Sequence, residues 1–323
     1  MANSLQVYLD AIEESVQSFQ LPKNPKGLYE PARYLLNIGG KRMRPVLTLM
    51  GCELFHTNYA NAKDAALAVE LFHNFSLVHD DIMDEAPLRR GKETVHKKWN
   101  ENTAILCGDA LLIEAYKLLC TYQPELSHQL LAIFNKTASE VCEGQHQDMD
   151  FETQKIVSID EYIEMIRKKT AVLLGCSLKM GSLIGGASES EAEELYQFGV
   201  NLGLAFQLQD DLLDVYADQT KFGKQVGGDI IANKKTYLLL LAFQDANESQ
   251  KNQLEQLLSE TDLEKKVFEV KAIYKLLDIE TKAHKKMQTI YSTALDSLNG
   301  LTVSEEKKKP LRNLAEFLMS REV

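Results

Sequence analysis

The sequence predicts an all-α protein folded as one large helical domain over residues 1–323. Three observations carry that expectation. Only seven residues are proline. Long segments repeat apolar residues at the helical period, and almost none alternate as strands do. Helix start and stop signals recur: the boxes Ser158-Ile159-Asp160-Glu161 and Ser188-Glu189-Ser190-Glu191, and the pairs Gly39-Gly40 and Gly185-Gly186. With 45% hydrophobic residues the chain can bury a sizeable core.

The elements follow in order. Ser4–Phe19 reads as an amphipathic helix, and Pro22–Gly27 as a turn. Leu28–Asn37 is helical and stops at Gly39-Gly40. Pro45 suits the first turn of the next helix, which runs to about Phe55. Asp64–Asp84 is a long helix, followed by a polar loop over Glu85–Trp99. Thr103–Cys120 and Leu126–Asp148 are helices. The first capping box opens a helix reaching Leu183, and the second opens the helix that continues past Asp210. Phe222–Gly228 is a glycine-bearing loop. The remainder is helical, with a charged stretch at Glu264–Lys271 and a turn at Asn299-Gly300.

A net charge of −11 argues against a nucleic-acid partner. Cys52, Cys107, Cys120, Cys142 and Cys176 are odd in number and lack CxxC spacing, which predicts buried free thiols in a reducing compartment. No secretory n- or h-region opens the chain, and no apolar run is long enough to span a bilayer. The expectation is a cytoplasmic protein without an integral membrane segment.

The chemistry lies in two copies of one acidic signature, Asp80-Asp81-Ile82-Met83-Asp84 and Asp210-Asp211-Leu212-Leu213-Asp214. On a helix the three carboxylates of each fall within an arc of about 100°. One such motif is ordinarily a solvated face. Both stand behind apolar runs, however, and charge among apolar residues needs a partner. A hard divalent cation sharing its shell with phosphate meets that need. Two such faces set opposite each other would cage Mg²⁺ and a diphosphate.

Basic residues recur beside these motifs. Gly39-Gly40-Lys41-Arg42-Met43-Arg44-Pro45 places three cations at a loop–helix junction, where free N–H groups also favour phosphate. Arg89-Arg90-Gly91 begins five residues after Asp84, and an arginine fork matches phosphate geometry. His73, seven residues before Asp80, lies on the same helical face. Lys168-Lys169-Thr170 lies mid-helix. Gly144-Gln145-His146-Gln147-Asp148 ends another helix. Lys224 and Asn233-Lys234-Lys235-Thr236 follow the second motif.

The ordered set GGKRMRP, LVHDDIMDEAPLRRG, GQHQD, KKT, FQLQDDLLD, FGKQVGGD and NKKTYL resembles the trans-isoprenyl diphosphate synthase (polyprenyl synthetase) family between Gly39 and Leu238. The resemblance implies a homodimer of isoprenoid-synthase helical bundles, each around a deep central cavity. It implies head-to-tail joining of isopentenyl diphosphate to an allylic diphosphate with Mg²⁺, three ions when diphosphate is bound. Asp80, Asp84, Asp210 and Asp214 would be metal ligands, the last through water, with Asp81 in support. Lys41, Arg44, His73 and Arg90 would hold isopentenyl diphosphate. Arg89, Lys169, Lys224 and Lys234 would surround the allylic diphosphate. Thr170 and Gln207 would lie beside the reacting carbons, and Gln145 and Asp148 would buttress the site.

Product length is expected to depend on what lies beneath the first motif. Ser76 is one turn below Asp80 and Phe72 about two; Phe75 is offset around the helix. In the family, an aromatic residue five before the motif with a small one four before resembles short-type geranylgeranyl synthases. The expectation is C20, with C15 as the alternative and core packing as the plain reading of both phenylalanines. Two rivals stay open: a class I terpene cyclase, against which the second Asp-rich motif and the Lys41/Arg44 pair count, and a non-catalytic partner subunit, which typically lacks a motif aspartate.

Overall fold

The structure is a computed structural model that describes residues 2–56, 58–217 and 227–320, with the backbone alone at 2–4. Lys224 and most of the expected Phe222–Gly228 loop lie outside the described residues. The helices are α1 (Ala2–Ser18), α2 (Lys26–Asn37), α3 (Met43–Phe55), α4 (Lys63–Met83), α5 (Val95–Lys98), α6 (Glu101–Leu119), α7 (Pro124–Thr153) and α8 (Ile159–Ile166). After a π-helical turn (Arg167–Ala171) come α9 (Val172–Ile184), α10 (Glu189–Tyr216), α11 (Gly228–Ile231) and α12 (Tyr237–Asp245). The chain closes with α13 (Glu248–Leu258), α14 (Leu263–Leu276), α15 (Ile279–Gly300) and α16 (Glu305–Met319). Among the described residues no helix is long and apolar enough to cross a membrane.

Two compact units emerge. The first comprises Met1–Ala138, Leu173–Tyr196 and Leu301–Leu311; the second comprises Ser139–Val172, Gln197–Gly300 and Arg312–Val323.

In the first unit α4 packs against α3 and α6, and α6 also meets α2 and α5. From Ala65 to Phe72 every residue of α4 is buried, as befits a helix that is apolar on all sides. Helices α3 and α9 touch backbone to backbone. A Cβ on Gly51 would lie 2.7 Å from Leu178 O, one on Gly185 2.5 Å from Cys52 O, and one on Gly181 would overlap Thr48 O. Gly185 therefore serves packing, while Gly186, at φ 92°, turns the chain out of α9.

In the second unit α8 packs on α12, and α14 contacts α11, α13 and α15. Asp211 pins this unit from inside. Its Oδ2 accepts from the Tyr162 hydroxyl on α8 (2.7 Å) and from Tyr237 N, the first amide of α12 (3.1 Å). Thr236, the N-cap of α12, makes no side-chain cap, so Asp211 supplies from α10 what the local sequence does not.

Three expectations are corrected. Glu85–Trp99 is not simply a loop: Leu88–Arg89 pairs antiparallel with Lys92–Glu93, and α5 follows. Arg90 and Gly91 both have positive φ (52° and 75°), as a two-residue hairpin turn needs. Strands of two residues are too short to show alternation. Helix α7 runs five residues past Asp148, because Phe151 is buried and Lys235 Nζ caps the carbonyls of Phe151 and Glu152. Cys120 and Cys142 are exposed, whereas Cys52, Cys107 and Cys176 are buried.

Two outcomes follow from this packing. Gly181→Ala, which drives a methyl into a main-chain carbonyl, should destabilise by about 1–3 kcal/mol in urea melts. Gly300→Ala, whose Cβ position is open, should leave the midpoint unchanged or slightly raised. Asp211 should also give stability a pH slope. Burial lifts its pKa to about 7 despite its two hydrogen bonds, whereas an unfolded chain releases this proton near pH ~4. The folded state therefore binds more protons between those limits, and this group's contribution to stability falls as pH rises from about 4 to about 7. Both hydrogen bonds land on one oxygen, which an amide carbonyl can replace. Asp211→Asn should flatten the slope in melts without divalent metal; a slope equal to that of the parent protein contradicts the assignment.

Candidate active site

The first acidic motif closes α4, where the helix leaves the core. Its three carboxylates are unequal. Asp81 is 1% exposed, Asp80 half-buried, and Asp84 an exposed C-cap whose amide donates to Asp80 O (2.9 Å). Asp81 Oδ1 accepts from Arg89 Nε (2.7 Å) and lies 2.6 Å from Arg89 Nη2. Asp81 Oδ2 is buried with no hydrogen-bond partner among the described residues. Burial raises the Asp81 pKa against the pull of Arg89. Arg89 Nη2 also stands 3.6 Å from Asp80 Oδ2. The hairpin thus turns Arg89 onto the motif itself.

Beside it, within the same unit, lies a cluster of cations. Arg44 Nη1 is 3.3 Å from His73 Nε2. A guanidinium only donates, so Nε2 accepts and the His73 proton sits on Nδ1. Burial, then Arg44, Arg90, Arg89 and Arg42, hold the His73 pKa well below its usual value. His73 is therefore a neutral imidazole at physiological pH, with Nδ1–H as its donor. Burial and Arg90 push the Arg44 guanidinium down to about 10 although Glu70 opposes them; it stays charged. Arg44 Nε is buried with no hydrogen-bond partner among the described residues. Lys41 is exposed, and a Cβ on Gly40 would overlap the Arg90 guanidinium.

Arg42, the middle cation of the loop, is a structural residue. It is buried, with Nε on Glu13 (2.8 Å), Nη1 on Glu70 and Nη2 on Leu36 O (2.8 Å). Glu70 Oε1 also accepts from Asn74 Nδ2 (2.9 Å). Sequence reading missed Glu70 and Asn74. A signal existed, since one glutamate inside the apolar run of α4 needs a buried cation.

Below the motif Phe72 is 1% exposed, and a chain of rings runs through it. Centroids are 4.8 Å apart for His79–Phe75, 5.5 Å for Phe75–Phe72, 5.1 Å for Phe72–Phe134 and 5.2 Å for Phe134–Tyr116. The Ser76 hydroxyl donates back to His73 O (2.8 Å) and leaves its side of the helix small.

In the second unit the expected helix from Ser158 widens into a π turn at Arg167–Ala171, the segment carrying Lys169 and Thr170. A Cβ on Gly144 would overlap the Lys169 amide, and one on Gly203 would lie 2.8 Å from Ala171 Cα. Glycines on α7 and α10 thus leave room for the wider turn. Such turns concentrate at functional sites. Three adjacent cations diverge here. Arg167 pairs with Glu164 (2.7 Å) and Glu140 (3.0 Å), Lys168 with Glu143 (2.8 Å), and Lys169 with Asp148 (2.5 Å). Gln145 and Asp148 lie within α7, not at its end.

Gln207, Asp210 and Asp214 are half-buried on α10. Asp214 receives Gly227 N on its main-chain oxygen (2.6 Å) and Asp229 N on Oδ2 (2.9 Å). Lys234 is exposed, with its amide on Asp229 O (2.9 Å).

The polyprenyl synthetase family profile matches residues 25–277. A geranylgeranyl diphosphate synthase of Methanosarcina mazei is 45% identical over 222 residues, 68% of either chain. Another from Saccharolobus solfataricus is 35% identical over 99% of both chains. The crystal structure of a geranylgeranyl pyrophosphate synthetase from Pyrococcus horikoshii superimposes with a TM-score of 0.93 at 37% identity, covering 99% of this chain and 98% of that one. With two aspartate triplets on helices and a family match across most of its length, this chain belongs to the polyprenyl synthetase family.

Proposed function

We propose that this protein joins isopentenyl diphosphate head-to-tail to an allylic diphosphate, releases diphosphate, and makes geranylgeranyl diphosphate. The observation that carries the reading is in the first unit, where a carboxylate turn adjoins arginines grouped around a neutral histidine. The turn suits a metal-bound diphosphate, and the arginines suit a second one. The relatives named geranylgeranyl diphosphate synthase support the C20 product, as does the ring chain beginning at Phe75.

The donors fit Mg²⁺. They are hard carboxylate oxygens on the acidic turns, and Asp81, buried between Asp80 and the fork of Arg89 with its Oδ2 unpartnered among the described residues, keeps negative charge close behind them. Asp80, Asp84, Asp210 and Asp214 would hold the ions, three with diphosphate present. Bound there, Mg²⁺ supplies Lewis acidity to the departing oxygens. The rest falls to the chain. Lys169 and Lys234, with Lys224, neutralise charge on the leaving diphosphate. The C–O bond of the allylic substrate breaks, and the oxygens of Thr170 and Gln207 face the allylic cation. Lys41, Arg44, Arg90 and the Nδ1–H of His73 hold isopentenyl diphosphate so that its double bond attacks that cation. Such positioning is worth roughly 7–11 kcal/mol. A new C–C bond forms, and the proton lost from the adjacent carbon goes to the released diphosphate.

A single all-α domain, a homodimer and a cytoplasmic location belong to the same proposal. The unbroken match over 25–277 supports the first. Ile105, Leu106 and Ile113, exposed on one face of α6, support the second. The buried thiols of Cys52, Cys107 and Cys176 support the third.

The purified chain, given Mg²⁺, labelled isopentenyl diphosphate and dimethylallyl, geranyl or farnesyl diphosphate, should yield a C20 alcohol after dephosphorylation. Chelation should abolish it, and Asp80→Asn should lower kcat by about 10²-fold or more. No elongation from any starter sinks the reading. Ser76→Phe should shorten the product toward C15, seen by chromatography; an unchanged length means the rings beneath Asp80 only pack the core.

A further inference from the structure

Helix α14 lies outside the acidic and basic motifs, yet it sends a buried cation toward the segment that carries Lys234. Lys266 is 3% exposed, and among the described residues its ammonium meets a carbonyl and an amide oxygen and no carboxylate. Its Nζ donates to Asn233 Oδ1 (2.6 Å) and Ile231 O (3.2 Å). Burial lowers its pKa. Five residues further, Lys271 Nζ donates to Val215 O (2.8 Å) near the end of α10. Between them Val267 packs on Gly227, where a Cβ would lie 2.9 Å from its Cγ1. One face of α14 thus grips the chain where it leaves the second acidic motif and again where it re-enters at α11.

A buried ammonium without a carboxylate costs stability, and an apolar side chain of similar length would pack there at less cost. Lys266 is therefore explained by what it holds. Helix α11 is a single turn of four residues and cannot sustain its own geometry. Asn233 follows it at φ 56°, in the left-handed region. Its side chain is shared between Lys266 and Leu258 O (2.9 Å). Lys234 comes next, its amide on Asp229 O and its carbonyl accepting Thr236 N (2.9 Å each). Asp211 holds the following amide, Tyr237 N (3.1 Å). Lys234 thus sits between two pins, and Lys266 drives the first of them.

We propose that Lys266, acting through Asn233, is a positioning residue that presets Lys234 for the allylic diphosphate. Lys271 does the same for the end of α10 that carries Asp214. The proposal rests on the synthase reading for its substrate and on the contacts of α14 for its geometry.

The test uses the 323-residue chain. Lys266→Met removes the cation. Asn233→Gly keeps the left-handed backbone and loses the acceptor, at an exposed position where folding is safe. Asn233→Asp keeps the acceptor for Lys266 and gives up only the Nδ2 donation to Leu258 O, a loss it shares with Asn233→Gly. Lys266→Met and Asn233→Gly should each raise KM for the allylic starter about tenfold, the scale of losing one hydrogen bond to a charged group. KM for isopentenyl diphosphate should stay near the parent value, and Asn233→Asp should retain parental constants. Amide hydrogen exchange, which needs no turnover, should quicken at Lys234 through Tyr237 in Lys266→Met and Asn233→Gly. Unchanged exchange there overturns the positioning role even if the parent protein elongates nothing. Equal rises in both KM values, or Asn233→Asp behaving like Asn233→Gly, overturn it as well. An inactive parent with quickened exchange defeats the synthase reading alone.

Discussion

The middle aspartate of each acidic triplet is buried, and a buried carboxylate draws its partners from the protein itself, on at least one oxygen in each case. Asp81 takes the fork of Arg89 and thereby fixes the hairpin beside the end of α4. Asp211 takes the Tyr162 hydroxyl and the Tyr237 amide and thereby fixes α8 and α12 to α10. The outer aspartates are less buried than the middle one, Asp80, Asp210 and Asp214 half-buried and Asp84 exposed, because the middle one faces inward. Three carboxylates in about 100° of helix thus divide into one structural anchor and two candidate ligands, in both units.

Cations divide in the same way. Arg42 is consumed by Glu13 and Glu70, while Arg44, two residues on, reaches His73. Arg167 and Lys168 are consumed by Glu140, Glu143 and Glu164, while Lys169 faces Asp148. Lys235 caps α7, while its neighbour Lys234 is exposed. In each run a cation held by the protein sits beside the one proposed for a phosphate. The structural member fixes the backbone from which the other projects. Cations that project from a fixed backbone need less reorganisation when an anion arrives, which favours electrostatic stabilisation, although Lys169 must first exchange Asp148 for it. The neutral state of His73 follows first from its burial and then from the four arginines around it.

Much of this was legible in the chain. Local signals sufficed for most helices because caps and apolar periods are set by residues three or four apart: the boxes at Ser158 and Ser188 both form, and Asn37 and Phe55 end helices as expected. The acidic triplets were legible for the same reason, since their spacing alone puts them on one face. The hairpin at Leu88–Glu93 was not, because its strands are two residues long and its turn is Arg-Gly. The π turn was not, because an inserted residue leaves the apolar pattern of Ala171–Leu174 unbroken. Its cause lies in Gly144 and Gly203, which are distant in sequence.

The chain by itself determined the helical class, the family and the residue types gathered around two acidic turns, because those depend on spacing within a few residues and on order along the sequence. Tertiary structure alone decided which member of each charged pair is an anchor, which nitrogen of His73 carries its proton, and that Lys266 on α14 grips the segment of Lys234. Those outcomes depend on burial and on partners tens of residues away. Whether a charge is solvated or enclosed is a property of everything packed around it, and no local pattern carries that information.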